Sequence, residues 1–180
     1  MNGPTGPTGP TGAEAVIPIA SGGVTTMTTV LGGLAGTMSL VAFGTNDVAV
    51  LVGGLIDTTG SSAVAFSMPR DGTITSIAAY YSVAVAAALI GSTVTITAQL
   101  YSSPTPDDSF APIAGTTVTL SPALTGAVAV GTTTSGELTG LSIPVTAGTR
   151  ILFVMSAQVT DGIDIATILT GLAGGGIGIV

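Results

Sequence analysis

Ser92–Tyr101, STVTITAQLY, sets Val94, Ile96, Ala98 and Leu100 on one side of an extended chain and Thr93, Thr95, Thr97 and Gln99 on the other. A period of two with one apolar face is the pattern of a half-covered strand. The same pattern recurs outward from this stretch. Val118 and Leu120 alternate with Thr117 and Thr119, and Ile143 and Val145 lead to Ala147. Ile151–Met155 is apolar at every position and then alternates through Gln158, which predicts a strand buried first on both faces and then on one. Val, Ile and Thr number 18, 15 and 30 of 180 residues, and β-branched side chains favour strands. Strands are therefore expected near 15–20, 38–43, 48–52, 63–68, 73–83, 93–101, 116–120, 127–133, 141–146, 150–160 and 175–180. Turn signals such as Arg70-Asp71-Gly72, Pro104–Asp108 and Thr160-Asp161-Gly162 separate them. Val83–Leu89 and Ile165–Leu172 could form helical turns, but no long amphipathic helix is evident. Many short strands at this spacing predict an all-β sandwich or barrel.

Composition narrows the chemistry. There is no Cys, His, Lys or Trp, and the only cations are Arg70 and Arg150 against nine carboxylates, for a net charge of −7. Disulfides, thiol catalysis, soft-metal sites and His-based acid–base chemistry are excluded, as are Schiff bases and a P-loop. Two Arg cannot coat a phosphate backbone, so no nucleic-acid partner is expected. The chain is 46% apolar, yet its longest apolar run, Val83–Ile90, falls far short of a spanning helix, and no membrane partner is expected. No Lys or Arg precedes Arg70, so the basic region of a secretory signal is missing.

Residues 1–14 differ from all that follows. Gly3-Pro4-Thr5, Gly6-Pro7-Thr8 and Gly9-Pro10-Thr11 are in-frame Gly-X-Y triplets, followed by Gly12. Pro fixes the polyproline φ, and Gly at every third position lets three chains meet on a common axis. A flexible Pro/Gly linker is the alternative. A collagen-like segment demands three chains, but twelve residues make only about 37 Å of rod, too little to hold them together. Residues 15–180 must then supply the trimerisation. If the segment of one trimer docks on the domain of the next, the contact is heterologous and open, and it builds a fibre.

The remaining sequence agrees with self-association. Outward strand positions carry Thr and Ala rather than charge, so much of the apparent surface is expected to be subunit interface. The chain closes on Gly174-Gly175-Gly176-Ile177-Gly178-Ile179-Val180, which is apolar and uncharged. A free tail is one reading. The other is a terminal strand near the threefold axis, with Gly174, Gly175, Gly176, Ile177 and Ile179 packing there.

The triplets, Ile17–Gly22 (IPIASG), Leu31–Gly36 (LGGLAG), Gly72–Ile77 (GTITSI), Thr93–Ser103 (TVTITAQLYSS) and Gly140–Val145 (GLSIPV) together resemble the collagen-like exosporium glycoproteins of spore-forming bacteria. The resemblance covers nearly the whole chain. It implies a jelly-roll β-sandwich similar to tumour-necrosis-factor and complement-type trimers, with a collagen-like connector over 1–14 and the jelly-roll over 15–180. It also implies a structural role on the spore surface (the exosporium), with other exosporium proteins as further partners and sugars on triplet Thr residues. Relatives of this kind carry long collagen regions and often an anchoring leader, whereas here Met1-Asn2 runs into three triplets. The expected function is a homotrimeric subunit of a spore appendage fibre, stacked head to tail through Gly3–Gly12. A trimeric adhesin or ligand-binding head is the alternative.

No enzyme, cofactor or metal site is expected. Asp107-Asp108 and Asp161-Gly162-Ile163-Asp164 lack the further oxygen ligands of a calcium loop and read as turns. Gly-x-Ser-x-Gly is absent, and a triad cannot form without His. The Thr-x-Thr runs lack the fixed repeat of an ice-binding solenoid. Arg70 and Arg150 are each expected to pair with a carboxylate, within the chain or across an interface.

Overall fold

The computed structural model describes residues 14–61, 65–105 and 107–180. The connector Gly3–Gly12 therefore lies outside the described residues. Fourteen strands and no helix make up the described chain. They are β1 Ala15–Ala20, β2 Thr25–Thr28, β3 Thr37–Val41, β4 Asn46–Val50, β5 Ile56–Asp57, β6 Phe66–Ser67, β7 Gly72–Val83, β8 Ala87–Ser103, β9 Ser109–Pro112, β10 Val118–Thr119, β11 Leu124–Val128, β12 Thr133–Val145, β13 Arg150–Gly162 and β14 Ile168–Ile179.

Two antiparallel sheets face each other as a jelly-roll sandwich. The smaller runs β1-β14-β7-β12, with β2 extending β14. The larger runs β4-β3-β13-β8-β9-β5, with β10 and β11 on β8 and β6 on β13. Between them lies the main core. The apolar side of STVTITAQLY (Val94, Ile96, Ala98, Leu100) and Ile151, Phe153, Met155 and Ala157 of β13 meet Ile74, Ile77, Ala79, Tyr81, Ile177 and Ile179 from the smaller sheet. The opposite side of β8 stays outside and forms a hydroxyl ladder with β13. Thr95 and Thr160 hydroxyls lie 2.7 Å apart, and those of Thr97 and Ser156 lie 3.0 Å apart.

The two-sided burial expected for Ile151–Met155 has a definite source. Leu152 and Val154 point away from the main core into a second one, with Met38, Leu40, Ala42, Ile56, Tyr101 and Phe110. Beyond β8 the sheet continues through β9 and β5, and β5 comes into contact with β4, so this margin curls over its own outer face. All five residues of Ile151–Met155 are buried as a result.

Several sequence expectations need correction. Val83–Leu89 is not helical: Val83 ends β7, and Ala87–Leu89 opens β8, paired with β11. A run that is apolar at every position has no period to separate helix from strand, and here partner strands decide. Ile165–Leu172 is likewise not a helical turn; from Ile168 onward it is β14, paired with β2 and β7. The strand expected at 127–133 is Leu124–Val128, because the chain turns back at Gly131, whose φ of 84° suits glycine. β2, β5 and β9 carry too few alternating apolar residues to announce themselves.

Candidate assembly surface

The C-terminal strand lies in the middle of the smaller sheet, between β1 and β7, rather than at an edge. Its register sets Gly174 beside Ala20 and Tyr80, Gly176 beside Pro18 and Ala78, and Gly178 beside Val16 and Ser76. Alternation then divides the residues expected near a threefold axis between two faces. Ile177 and Ile179 point inward and are buried in the core of their own chain. Gly175 also points inward: a Cβ there would collide with the Ala78 carbonyl and stand 3.0 Å from the Phe153 ring. Glycine at 175 is thus required by packing within one protomer.

Gly174 and Gly176 face outward, and their situation is opposite. A Cβ on Gly174 would come no closer than 3.5 Å to any neighbour, the Ile19 carbonyl oxygen; on Gly176 the nearest atom is Val16 Cγ1, also at 3.5 Å. These are ordinary contacts, and neither residue has positive φ. Glycine inside a strand costs about 0.5–1 kcal/mol relative to Ala. Nothing among the described residues requires that cost at 174 and 176. Besides bulges and tight bends, close approach of a ligand or another backbone is a recognised reason for such a position.

The surroundings of this bare strip are apolar and nearly uncharged. Val16 and Tyr80 flank it, 70% and 45% exposed, and Leu172 and Ala78 continue the face. A shallow trough of about 220 Å³ crosses it, lined by Val16, Ser76, Ala78, Glu137, Thr139 and Gly176 among others. At its lower end the Glu14 carboxylate accepts hydrogen bonds from the Thr75 and Ser76 hydroxyls and covers Gly178. Glu14 and Glu137 are the charges on this face.

Charge concentrates instead at the end where the chain enters the sheet. Arg150 Nη1 donates to Asp108 Oδ1 at 3.0 Å and to the Asp107 carbonyl at 2.6 Å, and its guanidinium lies 5.1 Å from the centre of the Phe110 ring. Arg150 therefore pairs within the chain, and Arg70 donates to the carbonyl oxygen of Asp71. The Asp107 carboxyl is held below its ordinary value, chiefly by the Ser103 hydroxyl at 2.7 Å and the Ser109 N–H at 3.1 Å. Thr59 does the same to Asp57 through its hydroxyl and its N–H. Asp57, Asp107 and Asp108 line an open hollow of about 460 Å³ with Val52, Leu55, Thr59 and Ser109. Among the described residues no group of three or more carboxylates is arranged to hold a metal ion. The Thr-x-Thr runs do not share a face: Thr93, Thr95 and Thr97 lie on the larger sheet, whereas Thr73 and Thr75 lie on the smaller.

An all-β jelly-roll preceded in sequence by Gly-Pro-Thr triplets is the class these features define. No family model matches the chain. It is 35% identical over 137 residues to "Collagen-like protein 1" of Acanthamoeba polyphaga mimivirus, a match spanning 72% of this chain and 14% of that protein's length. A match of that extent reaches far beyond the triplets into the sandwich, and it supports a collagen-like kinship.

Proposed function

We propose that the chain is a structural subunit of a bacterial spore-surface (exosporium) fibre. Three copies associate through the outer face of the smaller sheet, and trimers stack head to tail through Gly3–Gly12. The observation that carries the reading is the strip at Gly174 and Gly176, where side chains are missing although the protomer has room for them. A threefold assembly covering this face removes Val16, Tyr80 and Leu172 from water and uses the bare backbone for close approach. The triplets make the same demand for three chains from sequence alone. The likeness to a protein named collagen-like agrees with a structural role.

Native mass spectrometry of the full chain tests the first half, with a trimer expected and a monomer fatal to it. Electron microscopy tests the second: full-length protein forms fibres, and protein lacking residues 1–12 forms only discrete particles. A full-length trimer that stays dispersed at high concentration refutes the stacking. A ligand-binding head would use the acidic hollow at Asp57, Asp107 and Asp108 instead, and would not need fibres.

A further inference from the structure

The two ends of the sandwich are unlike. Ala15 pairs with Ile179, so the chain enters at the end that also holds the C-terminus, Arg70 and Arg150. Strand directions put four segments at the opposite end: the 29–36 connection, 84–91 with the start of β8, the 129–132 turn, and 161–168 between the end of β13 and the start of β14. They are tied to each other and to adjoining strands. Val159 N–H donates to Gly33 O, Ile163 N–H to Gly91 O, Thr29 N–H to Thr167 O and Gly131 N–H to Val83 O, all at 2.8–3.0 Å. The Thr29 hydroxyl donates to the Ile165 carbonyl at 2.6 Å.

From this bonded scaffold large apolar side chains project into solvent: Leu31 (82% exposed), Leu34, Val85, Ile90 (70%), Val130 and Ile163. The charges among these segments are Asp161 and Asp164, with no cation. Isolated exposed apolar residues need no explanation, but a cluster of them on hydrogen-bonded segments marks an interaction surface.

We infer that this apolar crown is the docking site for the Gly-Pro-Thr segment of the next copy in the fibre. The inference rests on the stacking reading above and names its receiving surface. Residues 1–13 carry no charged side chain, so Pro rings and Thr methyls meet apolar segments without burying an ion. Reach gives the direction. Thirteen residues extend about 40 Å in polyproline geometry, close to the length of a twelve-residue strand such as β14 at about 3.3 Å per residue. The segment joins at the far end, so meeting its own crown would require doubling back along the whole domain. The crown of a trimer stacked below that end lies directly in its way.

The test is the full-length double variant Leu31→Asp/Ile90→Asp. Both side chains are largely in water, so the thermal transition and the trimer mass are expected to stay as in the wild type. Pelletable fibre is expected to fall tenfold or more. Fibres undiminished in a variant that remains trimeric overturn the inference. Because the chain has no Cys, the pair Thr8→Cys and Val130→Cys gives an independent readout. Oxidation is expected to link different trimers into a ladder, and links confined within single trimers overturn the proposal. A wild type that forms no trimer is instead a failure of the underlying function, and native mass spectrometry reads that separately.

Discussion

Alanine at three consecutive glycines of β14 separates what one protomer needs from what its assembly needs. Gly175→Ala places a methyl against the Ala78 carbonyl and 3.0 Å from the Phe153 ring. A backbone atom and a fully buried ring cannot both yield, and overpacking of this kind costs about 1–3 kcal/mol. Gly174→Ala and Gly176→Ala meet nothing nearer than 3.5 Å and require no left-handed backbone. Each is expected to stabilise the isolated protomer by about 0.5–1 kcal/mol through reduced freedom of the unfolded chain. Across the proposed threefold interface the same methyls would occupy the space left for a neighbour's backbone. A misfit of about 1.4 kcal/mol per contact weakens association roughly tenfold. The signature is thus a pair of opposite signs: the double variant Gly174→Ala/Gly176→Ala unfolds later as a protomer and trimerises less tightly. Urea unfolding over a range of protein concentrations gives the first quantity, because trimer stability alone depends on concentration. Sedimentation velocity on a dilution series gives the second. A double variant that trimerises as tightly as the wild type refutes the assignment of this face. A Gly175→Ala variant as stable as the other two refutes the inward packing.

Tyr81 is fully buried, and its hydroxyl has no hydrogen-bond partner among the described residues, so Tyr81→Phe is expected to raise stability by about 1 kcal/mol in denaturant unfolding. Burial raises the Tyr81 pKa, so its contribution is intact below the ordinary tyrosine value near 10 and is lost as pH rises above it; the Phe variant should lose less stability in alkaline titrations. At the acid end, Asp57 and Asp107 have lowered values, so their contribution is present above about pH 4 and disappears as pH falls through their folded values. Hydrogen exchange corrected for intrinsic rate should accelerate in peptides spanning 103–112 below that pH, with no matching change in β14. Trypsin has two sites: Arg70 is exposed before β7, whereas Arg150 is paired with Ser103 and Ser67, so native protein should yield only 1–70 and 71–180.

Strands with one wet face were readable because alternation is a local property. STVTITAQLY and Ile143-Pro144-Val145 fix their own inward side without reference to partners. Ile151–Met155 announced burial on both faces, but not what covers the second face. That cover comes from Ile56 and Phe110, far away in sequence and on strands of two and four residues. Val83–Ile90 and Ile165–Leu172 were ambiguous because continuous apolar runs satisfy helix and strand alike. The C-terminal glycines suggested close backbone approach, and β14 does run through the centre of a sheet. The local pattern could not say which glycines face the core, since that depends on register against Tyr80 and Ile19. The unlike ends of the sandwich were also hidden: the crown gathers Leu31, Ile90, Val130 and Ile163 from three connections and the start of β8, spread over more than 130 residues.

The distribution of charge bears on why so apolar a chain would be usable at all. Both Arg and five of the nine carboxylates (Glu14, Asp57, Asp71, Asp107 and Asp108) lie at the entry end or in the hollow beside it. The opposite end and the smaller sheet's outer face hold most of the bare glycine and exposed apolar surface described above. A freely dispersed protein gains from spreading its charges, because patches then repel rather than join. Concentrating them at one end leaves the other surfaces free to associate, and under the proposed stacking the charged end would favour one direction, since crown against crown and charge against charge both waste complementarity. Two crowns face to face would also bring Asp161 and Asp164 of each copy together. The apolar, charge-poor composition therefore agrees with the proposed subunit, whose contacts would be lateral on one face and head to tail along one axis.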